Sequence, residues 1–498
     1  MRNQNPRVLF ATSEVYPLVK TGGLGDVSSA LPRALLDLGV DIQILVPGYP
    51  QVLDSSRDLK VISELQPLPD RHTVQLLQGR LPNSGPPLLI LDAPQLYKRE
   101  GGPYQDQNGK EWSDNARRFG TLSQVAAILS SSQSPIKWQP DILHCNDWQT
   151  GLSPAYLLNS TGPRARTVIS IHNLGFTGAF SSSWVSKLGL PQDGFCMDGF
   201  EFYGQLSFLK AGLHYADHIT TVSNTYAQEI QSEEYGGGFH ELLAGRREHL
   251  SGILNGIDLS EWDPTKDKHL KQTYGIDSLN EKSVNKRQLQ TRFNLPCKPD
   301  VPLFCIVSRL TSQKGIKLIP DALRLLRHRP WQLVILGTGE VELEKQLSEL
   351  AKEVPDRVSI TIAYDEALAH QIEGGADIFV MPSQYEPCGL NQIYSMRYGT
   401  PPLVRRTGGL ADTVVDATPE ALLNRSATGF VFEDFDSQAL SSCMERALDL
   451  YAEPETWRLI QCNGMISNFG WERSAGKYLS LYKKLLTELQ LSTGCQPT

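Results

Sequence analysis

Short, unbroken apolar runs recur along this chain, many followed by helically spaced stretches, and that alternation constrains the fold more than any other feature. In the first half the runs fall at residues 8–10, 42–46, 88–91, 142–143, 168–171 and 219–222. In the second half they fall at 303–307, 333–336, 358–362, 378–381 and 403–404. A run so short and continuously apolar fits a strand covered on both faces, as in a parallel sheet. Helical stretches at 318–326 and 343–351 are examples of the intervening elements. The pattern predicts an α/β fold whose ligands bind beyond the carboxyl ends of the strands. At 498 residues the chain exceeds one ordinary core, so two doubly wound, Rossmann-like domains are expected.

The domain boundary is expected after Leu254-Asn255-Gly256-Ile257-Asp258. That gives an N-terminal domain over 1–260, a connector and start of the second domain over 261–300, and a C-terminal domain over 301–474. The stretch 264–285 is polar, rich in Lys and Asp and without strand periodicity, as a connector would be. In the last segment, 475–498, Ala475, Tyr478, Leu479, Tyr482, Leu485, Leu486 and Leu489 repeat at helical spacing. The spacing alone leaves open what this stripe packs on; the expectation is a helix crossing back to the N-terminal domain.

Composition narrows the class. A formal net charge of −8 argues against an extended nucleic-acid footprint, so function must rest on local basic residues. The eight cysteines (Cys145, Cys196, Cys297, Cys305, Cys388, Cys443, Cys462 and Cys495) include no Cys-x-x-Cys pair, which suits reduced thiols rather than a zinc site or disulfide scaffold. A strand-like run begins at Val8, leaving no room for a signal or transit peptide, and no apolar run approaches a membrane span. A cytoplasmic protein of bacterial or cyanobacterial source is expected.

Lys20-Thr21-Gly22-Gly23-Leu24-Gly25-Asp26 has a near-copy at Arg406-Thr407-Gly408-Gly409-Leu410-Ala411-Asp412. Each places a base, a threonine and paired glycines ahead of a helix-like stretch. Close backbone approach, outward amides and the helix dipole suit an anion. One such loop is a weak signal, and Lys20-Thr21-Gly22-Gly23 alone is more often a turn. Two copies suggest two nucleotide-fold domains facing one highly charged ligand. Ser308-Arg309-Leu310-Thr311-Ser312-Gln313-Lys314-Gly315 puts two cations after a strand. Leu336-Gly337-Thr338-Gly339-Glu340 is a glycine turn after another, and Pro382-Ser383-Gln384-Tyr385-Glu386-Pro387-Cys388-Gly389-Leu390-Asn391-Gln392 opens a helix. Arg309 as a bidentate fork and Lys314 as a point charge suit a diphosphate, and Glu386 suits sugar hydroxyls.

In this order these motifs resemble the bacterial glycogen synthases and plant starch synthases. His144-Cys145-Asn146-Asp147-Trp148, Ile171-His172-Asn173-Leu174, the stretch from Glu201-Phe202-Tyr203-Gly204 to Gly212, and Ile253 to Leu259 match that family as well. The likeness runs from about residue 8 to about residue 482 and is far more specific than any one glycine-rich loop. It implies a GT-B fold, with two Rossmann-like domains facing a central cleft. It also implies transfer of glucose from ADP-glucose to the non-reducing end of an α-1,4-glucan (glycogen, starch or maltooligosaccharide), with retention and without metal or other cofactor. Carried over by motif, Lys20, Gly23 and Asp26 belong to donor binding, as do Tyr364, Cys388, Gly389, Leu390, Thr407 and Gly408. Arg309 and Lys314 would hold the diphosphate and Glu386 the glucose. His172 would sit beside the reacting carbon, Asp147 would share the catalytic and acceptor sides, and Tyr104, Asn173 and Asn255 would line the acceptor side.

The residues also bear on mechanism directly. No motif supplies the two close carboxylates of a retaining glycosidase. The E-x7-E pattern of related transferases would put Glu at position 394, where this chain has Tyr394. Front-face departure of the nucleoside diphosphate, stabilised by Lys20, Arg309, Lys314 and helix N-termini, is the economical reading. Rivals are a same-fold transferase using UDP-glucose or a small acceptor, and a non-catalytic glucan-binding protein. An NAD oxidoreductase fails because Lys20 to Gly25 lacks the G-x-G-x-x-G spacing. The product (glycogen or starch), the oligomeric state, and the roles of Asn391 and of Gly236 to Gly238 stay open. No membrane or nucleic-acid partner is expected.

Overall fold

The computed structural model describes residues 5–66, 73–82 and 85–494. Two compact units emerge: 1–256 together with 471–498, and 257–470. Cys495 lies outside the described residues, as do the side chains from Leu489 onward.

The first unit is built on a nine-stranded sheet. Its strands lie in the order Leu250–Gly252, His218–Thr221, Arg166–Ile171, Ile142–Asn146, Arg7–Ala11, Asp41–Pro47, Pro87–Asp92, Val74–Arg80 and Arg57–Leu65. The first seven pair in parallel and the last two are antiparallel. Strand Ile142–Asn146 is buried throughout, as its apolar run requires. The antiparallel edge carried no such signal, because Arg57–Leu65 is mostly exposed and its residues are mixed. A small second sheet, Ala179–Ser181, Gln205–Ser207 and Glu201–Phe202, joins in antiparallel fashion.

The C-terminal helix Trp471–Gly494 packs against helix Gly23–Asp37 of this same unit. Ala475, Tyr478, Tyr482 and Leu485 are buried along its apolar stripe. Tyr482 also donates or accepts at His144 Nδ1 (2.7 Å), His144 Nε2 meets Ser170 Oγ (2.7 Å), and Ser170 meets Thr220 Oγ1 (2.6 Å). This buried polar ladder ties the helix across three neighbouring strands, with every member partnered.

The second unit has six parallel strands: Val358–Ile362, Gln332–Gly337, Leu303–Val307, Ile378–Met381, Pro402–Arg405 and Phe430–Phe432. The segment 264–285, read from sequence as a connector, is folded into this unit. Tyr274 donates to the carbonyls of Gly374 (3.2 Å) and Tyr398 (2.7 Å), and buried Lys282 donates to Glu373 O (3.0 Å) and Thr400 Oγ1 (2.7 Å). Its anchors are single side chains bonded to groups distant in sequence, which leave no periodicity. Among the described residues no helix is long and apolar enough to cross a membrane.

In each unit the chain reverses its direction of strand addition at the first strand. In the first unit that point lies between Arg7–Ala11 and Ile142–Asn146; in the second it lies between Leu303–Val307 and Ile378–Met381. Loops beyond these strand ends are where doubly wound sheets bind ligands.

Candidate active site

The loop after Arg7–Ala11 leads into the 15-residue helix Gly23–Asp37. Gly22 caps it in an extended conformation and contributes no capping side chain. Lys20 to Gly23 are exposed. Lys20 Nζ rests 2.8 Å from Asp26 Oδ1 in the helix's first turn, and 5.5 Å from the Tyr16 ring centre. Asp26 therefore orients Lys20 while complementing the dipole.

Underneath lies Glu14, which sequence reasoning missed. It is 2% exposed and accepts from Thr21 N (2.6 Å), Thr21 Oγ1 (2.6 Å) and Tyr104 OH (2.5 Å). Ser13 Oγ meets the same tyrosine hydroxyl at 2.8 Å. A carboxylate just after a strand was the available signal. Tyr104, expected on the acceptor side, uses its hydroxyl to hold this loop.

Asp147 follows strand Ile142–Asn146 with φ 58°, a left-handed conformation uncommon for a non-glycine residue. It is buried, and burial pushes its carboxyl up to about 7, opposed by backbone N–H groups of Trp148, Asn173 and His172 and reinforced by the Glu14 charge. Trp148 N lies 2.9 Å from Oδ1. Asp147 thus joins its own loop to the loop after Arg166–Ile171. His172 contacts Asn146 Oδ1 through Nε2 at 3.1 Å, and burial lowers its pKa to about 4. It is neutral at pH 7, suited to hydrogen bonding with a hydroxyl rather than to carrying charge. Asn173 Oδ1 accepts from Gly175 N (2.9 Å), fixing the turn. Asn255 is buried, and its enclosed Oδ1 has no hydrogen-bond partner among the described residues.

In the second unit Arg309 is exposed, and its guanidinium makes no ion pair or hydrogen bond among the described residues. Its loop is braced by the glycine turn after Gln332–Gly337: Leu310 N donates to Thr338 O (3.0 Å) and Glu340 N to Leu310 O (2.8 Å). Glu340 accepts from Ser312 N (2.8 Å) and Oγ (2.9 Å), hydrogen bonds that hold its pKa below the usual range. This glycine turn is therefore a support for the cation loop.

Lys314 Nζ meets Glu386 Oε2 at 2.5 Å, and Ser383 Oγ donates to the same oxygen at 3.1 Å. Gln384 N donates to Gln313 O (2.8 Å), so the two loops are stitched by backbone as well. Glu386 and Cys388 are buried; Gly389 and Leu390 are half-buried. Asn391 Nδ2 donates to Val307 O at 2.6 Å, pinning the helix Asn391–Arg397 to the end of the central strand. Tyr364 is 78% exposed beyond strand Val358–Ile362.

Thr407 and Gly408 are buried rather than presented. Gly409 N donates to Glu386 O at 3.0 Å, and a side chain on Gly409 would lie 2.0 Å from Cys388 O. The near-copy of the Lys20 loop clamps the Glu386–Cys388 segment. Tyr394 stacks on Trp262 (3.8 Å, 9°), which stacks on His370 (3.9 Å, 10°). No second carboxylate stands in that place. Among the described residues no group of three His, Cys, Asp or Glu is arranged to hold a metal ion.

Comparison with known proteins places this geometry. Residues 7–245 match a family profile described as "Starch synthase catalytic domain", and residues 288–459 match "Glycosyl transferases group 1". The chain is 51% identical over 484 residues to a glycogen synthase of Nitrosospira multiformis, spanning 97% of each chain. It is 50% identical to one from Aromatoleum aromaticum over 96% of each. The solved catalytic domain of starch synthase IV from Arabidopsis thaliana, bound to ADP and acarbose, superposes with a TM-score of 0.86 at 31% identity, covering 97% of this chain and 100% of that one.

Proposed function

The chain belongs to the glycogen synthase and starch synthase family of glucosyltransferases, and we propose that it moves glucose from ADP-glucose to the non-reducing end of an α-1,4-glucan, retaining the α configuration. The observation that carries this reading is the pairing at the second unit's switch point. Arg309 is an exposed, uncommitted cation, and Lys314 is held in place by Glu386. A doubly negative diphosphate is the ligand such an arrangement suits, Arg309 as a fork and Lys314 as a point charge. As the bond to glucose lengthens, negative charge grows on the departing phosphate and both contacts strengthen, which lowers the barrier.

The remaining roles follow from chemistry. Glu386, freed in part from Lys314 by the phosphate, accepts from glucose hydroxyls. The Gly23 and Leu24 amides and Lys20 add positive potential at a helix N-terminus of the first unit. Neutral His172 offers a hydrogen bond to a sugar hydroxyl, and Asn255 belongs to the acceptor side by its motif. Asp147 acts as a positioning residue: its carboxylate accepts from three backbone amides and sets the His172–Asn173 turn. The acceptor hydroxyl enters on the face from which the diphosphate leaves, and its proton passes to that phosphate; no protein nucleophile is required. Retention without a carboxylate pair is supported by Tyr394, whose ring is committed to stacking.

The reading includes turnover without a metal, three cations supplying the electrostatic work, and a cytoplasmic location. Seven cysteines, from Cys145 to Cys462, are free thiols. The test is transfer of radiolabelled glucose to glycogen from ADP-glucose and from UDP-glucose, with and without EDTA. Label entering glycogen from ADP-glucose in EDTA is expected. Preference for UDP-glucose overturns the donor assignment, and loss in EDTA restored by Mg²⁺ overturns the metal-free mechanism.

A further inference from the structure

The hairpin Glu201–Phe202 / Gln205–Ser207 turns through two residues, Tyr203 and Gly204, with φ 48° and 79°. Two left-handed residues in succession make the tight turn that matches strand twist, and Asn-Gly is its favoured sequence. Tyrosine is a poor choice for the first position, since a bulky side chain there is strained. Nor does the ring stabilise the core: Tyr203 is 80% exposed. Yet it is not loose. Gly238, from the Tyr235-Gly236-Gly237-Gly238 stretch, lies against it so closely that an added methyl would stand 3.0 Å from Tyr203 Cε2 and OH. Phe202 beside it stacks on Phe239 (4.1 Å, 9°), and Gly204 N is tied to Glu201 Oε1 (2.6 Å). The outcome is a rigid aromatic ring displayed to solvent at a cost in backbone strain.

This hairpin is continuous with the acceptor-side residues. The loop carrying His172 and Asn173 runs through Phe176, itself 52% exposed, into strand Ala179–Ser181 of the same small sheet. Phe180 of that strand packs on Trp148 (5.9 Å), the residue after Asp147. Ser181 pairs with Gln205 and Gln205 with Phe202, so Tyr203 lies two strand spacings of about 4.8 Å and one residue away. Exposed Met197 sits on the adjoining loop, whose carbonyl accepts from Lys210 Nζ (2.7 Å) together with that of Glu201.

We propose that Tyr203 is an outer platform on which the body of an α-glucan chain stacks while its non-reducing end occupies the His172–Asn173 side. A glucose ring has an apolar face that packs on an aromatic ring, and a ring immobilised in advance loses little entropy on binding. The proposal rests on the glucan-transferase reading and adds a chain-length dependence to it: long acceptors reach Tyr203 and short ones do not.

The experiment compares Tyr203→Asn, Tyr203→Trp and the unaltered protein by affinity electrophoresis in glycogen gels, by titration with maltoheptaose and maltotriose, and by thermal melting. Asn suits the turn better than Tyr, so the melting temperature of Tyr203→Asn holds or rises while its affinity for glycogen and maltoheptaose falls about 3–10-fold, the range of one aromatic contact. The ratio of kcat/KM on glycogen to that on maltotriose falls with it, and Tyr203→Trp restores it. Undiminished glycogen and maltoheptaose affinity in Tyr203→Asn overturns the platform, as does a loss shared equally by maltotriose. Because glucan binding is measured without donor, failure of glucosyl transfer in the unaltered protein counts against the assigned reaction and is read separately.

Discussion

The loops at 20–26 and 406–412 share one sequence pattern and do opposite things. Around Gly22 and Gly23 there is open space, with no atom within 4 Å of an added methyl. Around Gly408 and Gly409 the space is taken: added methyls would lie 2.0 Å from Glu386 O and from Cys388 O. The first pair of glycines leaves room for a ligand to reach backbone amides at a helix start. The second pair leaves room for the protein's own backbone, which fills the place and is thereby held. A glycine pair before a helix therefore signals close approach, and only the surroundings decide what approaches.

The largest effect separates these two uses directly. Gly409→Ala forces Cys388 and its neighbours to move, costing about 3 kcal/mol or more as overpacking against backbone, and activity falls with the displaced Glu386. A melting temperature unchanged in Gly409→Ala would break the contrast between a filled and an open loop.

Arg309→Ala comes next. The fold is retained because the guanidinium is exposed and unpaired, while kcat drops by about 10²–10³ because the lost contact strengthens as phosphate departs. Lys314→Ala is expected to lose a similar factor, with added cost from leaving buried Glu386 unpaired. Near-normal kcat in either folded variant removes that cation from the mechanism.

Asp147→Asn tests the first unit through pH. A carboxyl raised from 3.8 to about 7 by burial makes the folded state hold a proton that the unfolded state has already released. Its contribution to stability therefore declines as pH rises from about 4 through 7. His172 works in the opposite sense, its pKa lowered to about 4, so its contribution is lost as pH falls from 6.5 toward that value. The stability difference between Asp147→Asn and the unaltered protein should shift in favour of the variant by about 4 kcal/mol from pH 4 to pH 8. Denaturant melts across that range measure it, and a flat difference rejects the raised carboxyl.

The smallest effect belongs to Gly23→Ala. Nothing is there to meet the methyl, so stability stays within about 0.5 kcal/mol. The donor KM nevertheless rises, because the methyl stands on the open amide surface. An unchanged donor KM would sharpen the comparison in the other direction, making the first loop open but unused.

Both sheets were legible because burial on two faces writes a strand as a continuous apolar run, a purely local property. The loops proposed to carry the chemistry were legible for a related reason: Arg309, Lys314 and Glu386 stand in short motifs that follow strands directly. The antiparallel strands Arg57–Leu65 and Val74–Arg80 were not, since the exposed residues of the first carry no run and only pairing with its two neighbours defines the second.

By itself, then, the sequence determined two doubly wound units and the family to which the chain belongs. Tertiary structure alone decided that Glu14 and Tyr104 hold the Lys20 loop, that segment 264–285 is packed through Tyr274 and Lys282, and that Tyr394 stacks where a carboxylate might have been sought. It alone also decided which glycine pair faces solvent. Periodicity and motif are properties of neighbours along the chain. These other features depend on atoms brought together from positions far apart in sequence, and no short window of residues contains them.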